Sequence, residues 1–212
     1  MRQMPLLTLH EVVVRDAGGA EIGPIDWSIH RAERVWVDFA DELQFSLLAN
    51  LLSGRAKPAS GYIEEGKPVR VQSDLLLRES TNLNRSISEY LHSSDAPEFV
   101  WLESRRRPVQ VLLDRLGLTA NRFRLPLKFQ PADVIEKFVA FRFIISRADL
   151  LIGRDLFAAR DPNIAEVLRM RWADFPGVVI AGTAREKLPG VPDVHVTLAI
   201  DGTFSRRPHE GS

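Results

Sequence analysis

Side chains able to do chemistry are sparse in this chain, and their spacing excludes most reactions. The five histidines, His10, His30, His92, His195 and His209, stand at no metal-ligand spacing from one another, so no zinc site is expected. Cysteine is absent, which removes disulfide scaffolds, thiolate metal centres and cysteine nucleophiles. The G-x-S-x-G elbow of serine hydrolases is missing too. Of 28 basic residues, 23 are arginine, so lysine-dependent chemistry must draw on five side chains. Arg105-Arg106-Arg107, near Arg115, Arg122 and Arg124, forms the one local basic excess. It reads first as a solvated helical face, and otherwise as a contact for lipid head groups or an acidic partner.

The elements that must position these groups follow from periodicity. Leu6 to Val14 and Ile25 to Ile29 read as strands around the turn Asp16-Ala17-Gly18-Gly19. Val35-Trp36-Val37 suits a short buried strand, and Leu43, Leu47, Leu48, Leu51 and Leu52 then share one helix face, with Asp41 as N-cap. A strand begins at Tyr62-Ile63. Helices are predicted over 109–116, 132–146 and 164–172, and strands over 148–152, 178–181 and 194–200. Trp36, Trp101 and Trp172 read as core residues, and Trp27 lies on a strand pattern. Strands alternating with helices at both ends, around a helical middle, predict an α/β sandwich with a helical insertion.

Composition bounds the rest. A chain of 212 residues, 45% hydrophobic, suits one ordinary domain with a sizeable core. Its 28 acidic residues balance the basic ones, so no global field draws it to nucleic acid or an anionic membrane, and no nucleic-acid partner is expected. No run approaches the roughly 18–20 apolar residues of a membrane span, and the N-terminal apolar stretch breaks at His10-Glu11. A soluble, cytoplasmic protein is expected.

The segment order, with Ser53-Gly54 and Pro58-Ala59-Ser60-Gly61-Tyr62-Ile63, resembles the nucleotide-binding subunit of ATP-binding cassette (ABC) transporters. Leu47 to Gly54 is similar to the helix after that family's phosphate loop, Leu112 to Leu118 to the turn before its signature, and Ala148 to Ile152 to the strand carrying its second nucleotide motif. The resemblance implies a P-loop NTPase-like core, a mixed sheet with flanking helices, plus a helical subdomain. It covers 1–204 as one domain, with the insertion at about 92–147 and a flexible tail over 205–212.

The chemistry departs from the family pattern. Against G-x-x-x-x-G-K-[ST], in which glycine amides and lysine hold phosphates and a hydroxyl holds magnesium, the chain offers Phe39 to Leu47. Phe39 and Gln44 replace the glycines and Phe45 the lysine; Ser46 alone survives. Asp41 and Glu42 set negative charge where polyphosphate would lie. Arg154 stands at the magnesium aspartate and Asp155 at the catalytic glutamate, and the pair reads as a surface turn. Gln130-Pro131-Ala132-Asp133-Val134 replaces the signature while still suiting a helix start. Thr183-Ala184 replaces the switch histidine, and Asp16 falls at the adenine-stacking aromatic. Asp161 matches an aspartate at the family's subunit contact.

The resemblance thus implies a pseudo-ATPase, with neither ATP nor magnesium expected to bind. It would be a structural or regulatory subunit docked on an integral membrane permease-like partner, at the inner face of the membrane. The expected contacts are Glu79, Ser80, Asn82 and Leu83, with Asp161 at a homodimer or at a heterodimer with an active ABC ATPase. Two alternatives stand beside this reading. One is a working ATPase in which Arg34 or Arg55 serves the phosphates; the other is a cytoplasmic interaction module unrelated to transport.

Overall fold

The computed structural model describes residues 4–73, 84–91, 111, 113–118, 124–154, 157, 161–182 and 188–208. Two sheets form its frame. The first is antiparallel, in the order β2-β1-β4, from β1 (Leu7–Arg15), β2 (Glu21–Ile29) and β4 (Ser60–Glu65). The second has the order β5-β6-β7-β3-β8-β9, from β3 (Arg34–Phe39), β5 (Val71–Ser73), β6 (Leu150–Gly153), β7 (Val178–Ala181), β8 (Val194–Leu198) and β9 (Phe204–Pro208). All its neighbours are parallel except β8 and β9.

Alternation along the strands divides the core in two. Leu150, Ile152, Val178, Ile180, Val35, Val37, Val194 and Val196 face the antiparallel sheet and helix α1 (Glu42–Leu52). Leu151, Val179 and Ala181 face the other way, toward helices α3 (Ala132–Ile145) and α4 (Pro162–Asp174). Covered on both faces, β6 and β7 are apolar throughout, which is why they read as continuous runs rather than alternating ones. Leu113, Leu116 and Leu118, together with Ile87 of the short helix α2 (Ile87–Leu91), join the second cluster, so the described part of the helical insertion shares the sheet's core.

Local signals account for the boundaries. Asp41 caps α1 as expected, its Oδ1 accepting the Leu43 amide at 2.9 Å. Pro131 precedes α3, and Asp133 lies in its first turn. Between Leu9 and Val12 the register of β1 slips through a bulge, with Glu11 at φ 47°. Gly61 of β4, at φ +73°, crosses this bulge so closely that a Cβ would lie 2.4 Å from the His10 carbonyl oxygen. Only glycine fits there.

One expectation needs correction. The chain from Ser205 is not a loose tail within the described residues: 204–208 form β9, antiparallel to β8 from Leu198↔Phe204 to Val194↔Pro208. Phe-Ser-Arg-Arg-Pro has little apolar alternation, because a ladder to β8 and one inward ring, Phe204 tilted on Trp27 at 5.8 Å, hold it instead. The three-residue β5 was not anticipated either, being too short for any period to register. Among the described residues, no helix is long and apolar enough to cross a membrane.

Candidate functional site

The strands β3, β6, β7 and β8 end on the same side of the sheet, and α1 starts there. Ligands of open parallel sheets bind at such strand ends, beside a helix N-terminus. Here only Ala40 and Asp41 separate β3 from α1. Glu42, Leu43 and Gln44, placed by the motif alignment inside a phosphate loop, are already the first turn of the helix. Its leading amides are engaged within the chain: Leu43 N–H donates to Asp41 Oδ1 at 2.9 Å, and Gln44 N–H to the Asp41 carbonyl at 3.1 Å.

Three side chains of that turn reach across to the strand ends. Phe45 is fully buried, tilted against Phe39 with ring centroids 5.2 Å apart. Its ring lies so close to Gly182, just past β7, that a Cβ on Gly182 would come within 2.5 Å of Phe45 Cε2. Gln44 is buried as well. Its Nε2 donates to the carbonyl of Ala199, next after β8, while its Oε1 has no hydrogen-bond partner among the described residues. Glu42 forms an ion pair with Arg154, the residue after β6. The Arg154 side chain is only 16% exposed and its partner Glu42 is 71% exposed, so the pair lies at the edge of the strand-end site. The half-buried guanidinium is met by an exposed carboxylate. Ser46, at the hydroxyl position of the ABC pattern, donates its hydroxyl to the Glu42 carbonyl at 2.9 Å, a bond within its own helix turn.

Arg34 and Arg55, the alternative cations, are elsewhere. Arg34 begins β3 at the opposite end of the sheet, 7% exposed. Its guanidinium donates to the carbonyls of Trp172, Ala173 and Phe175 at the end of α4, and to those of Gly177 at 2.9 Å and Ala32 at 2.8 Å. Burial lowers its pKa from the ordinary value, against the pull of Asp193 and Asp174. It therefore closes a helix C-terminus, where a cation suits the dipole and the free carbonyls. A cleft of about 470 Å³ opens beside it, lined by Trp172, Asp174, Val191 and Asp193 among others. Arg55 follows the C-terminal end of α1, a helix of 11 residues, and so lies about 16 Å from the first turn.

Of the remaining expected site residues, Asp161 directly precedes α4, and its carbonyl accepts the Ala165 amide at 2.9 Å. Asp155, Ala184, Glu79, Ser80, Asn82 and Leu83 lie outside the described residues. The structure thus brings Phe39, Gln44, Phe45 and Arg154 to one place and adds Glu42, Gly182 and Ala199. A clue to the pairing was visible in sequence, since Glu42 brings a negative charge into one motif and Arg154 a positive charge into the other. Nothing in sequence marked Gly182 or Ala199. Among the described residues, no group of three acidic or histidine side chains could hold a metal ion.

No family model matches the chain, and no curated protein matches it in sequence. Solved structures do match. One is a chain of a transporter described as a metal-chelate type ABC transporter in an inward-facing conformation. It is 14% identical, with 96% of this chain and 83% of that one covered, at a TM-score of 0.63. Another is cbiO1 from Clostridium perfringens, part of the ABC transporter complex cbiONQ. It is 16% identical over 97% of this chain and 89% of that one, at a TM-score of 0.64. At such identities the likeness concerns the fold: a mixed α/β core of the ABC ATPase type, as the sequence resemblance implied.

Proposed function

We propose that this chain is a subunit of an ABC-type membrane transport complex that works without nucleotide, as a structural or regulatory adaptor on a permease-like membrane partner. One observation carries the reading: the first turn of α1 is pegged by Glu42, Gln44 and Phe45 to residues following β6, β8 and β7, where a phosphate cradle would have to be. A triphosphate needs free amide donors and a cation. The amides of Leu43 and Gln44 are occupied by Asp41, and Arg154 is matched by Glu42. The side chains present do not fit ATP or magnesium.

The fold supports the transport context, since cbiO1 is part of a transporter complex. On this reading the chain sits at the inner face of a membrane through its partner. It pairs with a second copy or with an active ATPase, Asp161 lying at that contact. Glu79, Ser80, Asn82 and Leu83 are the proposed permease contacts. The alternative of a working ATPase loses its two cations, one committed to the end of α4 and the other a helix length away.

A thermal-shift series with ATP and magnesium tests the reading. No rise in melting temperature is expected at millimolar nucleotide, whereas a ligand at 100 times its Kd would add about 2.7 kcal/mol of stability. A clear upward shift would sink the proposal. Co-purification from native membranes with a multi-span protein tests the transport context separately, and a chain recovered free of membrane proteins counts against it.

A further inference from the structure

The outer face of the antiparallel sheet carries recognition chemistry unrelated to the strand-end site. His10 of β1 and Tyr62 of β4 are cross-strand partners, their rings stacked with centroids 4.5 Å apart and planes 22° from parallel. Tyr62 is 61% exposed. His10 Nε2 lies 3.4 Å from Glu64 Oε2 on the same strand as Tyr62. Exposed Glu11, on the bulge of β1, and exposed Asp26, on β2, are joined by a 2.9 Å bond from the Glu11 amide to Asp26 Oδ1. Arg15, the one arginine of β1, is already matched by Glu21. Three carboxylates thus border a stacked aromatic pair.

A second feature is independent of side-chain charge. Among the described residues β4 pairs with β1 alone, so its other edge presents a row of unpaired backbone donors and acceptors. None of its six residues is buried. His10 covers the ring of Tyr62 from the β1 side, which leaves the other ring face toward that open edge.

We propose that this edge binds an extended, arginine-rich segment of a partner protein, added to β4 as a further strand with guanidinium groups over Tyr62 and beside Glu64, the carboxylates of Glu11 and Asp26 adding to the negative field of the same sheet. The sign of the surface chooses the partner, since polyanions such as nucleic acid and acidic lipid are repelled. The aromatic ring chooses arginine over lysine, because a planar guanidinium stacks on tyrosine and donates to carboxylates at once. Strand geometry sets the spacing. Successive side chains point to opposite faces, so arginine at every second position puts each guanidinium on the outer face. The proposal stands whether or not nucleotide binds elsewhere.

The test is fluorescence anisotropy of a labelled peptide of alternating arginine and serine, titrated with the full chain. Saturable binding is expected, about two- to fivefold weaker in Tyr62→Ala, as a cation–π contact of roughly 0.5–1 kcal/mol implies. Glu64→Lys should weaken it further, and alternating lysine and serine should bind less well than arginine and serine. Backbone N-methylation of alternate peptide residues keeps every charge but blocks strand pairing, so it should abolish binding. Hydrogen exchange at 60–65 should slow when the unmodified peptide is added. All the substituted side chains are exposed, and circular dichroism confirms that the variants fold. Absent binding, equal binding of the N-methylated peptide, or full affinity in a Tyr62→Ala/Glu64→Lys variant would each overturn the proposal.

Discussion

The two ends of the parallel sheet each hold an arginine mostly out of solvent, for opposite partners. Where the strands begin, Arg34 faces the carbonyl oxygens that close α4. Where they finish, Arg154 faces Glu42 in the first turn of α1. The first arrangement matches a cation to the negative end of a helix. The second brings a cation to the positive end and needs an acidic residue between them. At both ends, among the described residues, a helix terminus and the guanidinium beside it are engaged inside the chain: the α4 carbonyls by Arg34, and the Leu43 amide by Asp41 while Arg154 meets Glu42. The pole where such a fold binds ligands is built like the pole where it does not.

Substitutions can break that symmetry. The largest effect is expected for Phe45→Lys, which sets the lysine of the ABC phosphate-loop pattern at this position. It removes a fully buried ring and sets an ammonium against Gly182, costing at least the roughly 3–5 kcal/mol of a Phe→Ala core change. Urea unfolding should show this loss, with no gain of ATP hydrolysis even when Arg154→Asp is added. If that pair restored turnover, the pole would be a nucleotide site lacking only two groups.

Arg34→Met comes next. It strands several buried carbonyls at about 1–3 kcal/mol each, partly relieved by water, so a loss of about 3 kcal/mol is expected in the same assay. A loss below about 1 kcal/mol would deny Arg34 its role as the cap of α4. Gly182→Ala should cost about 1–3 kcal/mol by overpacking against Phe45, and clearly less when combined with Phe45→Leu. Additive costs would mean that the ring does not set the glycine requirement.

The smallest effect separates the ends by pH. Asp149, just before β6, is raised by burial, but hydrogen bonds from the Arg70 amide and side chain and from Arg31 outweigh this and hold its pKa below 3.8. A depressed carboxyl contributes stability that is present above the unfolded value and is lost as pH falls through the folded one. Asp149→Asn should therefore flatten the acid limb of the stability curve below about pH 4 and lower stability slightly at neutral pH. An unchanged acid limb would remove Asp149 from the interactions that tie the strand-starting end.

Most of the frame was legible from pattern. Strand 178–181 and the Asp41 cap of α1 were read as they stand, because buried parallel strands and caps are written in contiguous residues. β9 was missed because its stability comes from backbone pairing with β8, which leaves no apolar period. Site residues divided in the same way. That Phe39, Gln44 and Phe45 stand where the ABC pattern has glycine and lysine could be read along the chain, but their partners could not.

The sequence by itself determined most of the fold's elements, though not β5 or β9, and the identity of the residues standing at the motif positions. These depend on side chains a few positions apart, within the reach of periodicity and capping. Only the tertiary structure decided that Glu42 meets Arg154, that Phe45 requires Gly182, and that Arg34 belongs to the end of α4. Each of those pairs is far apart in sequence and is joined by where parallel strands begin or end. Burial sets the reason they must pair: a charge, an amide or an aromatic ring removed from water needs a partner that only packing can supply.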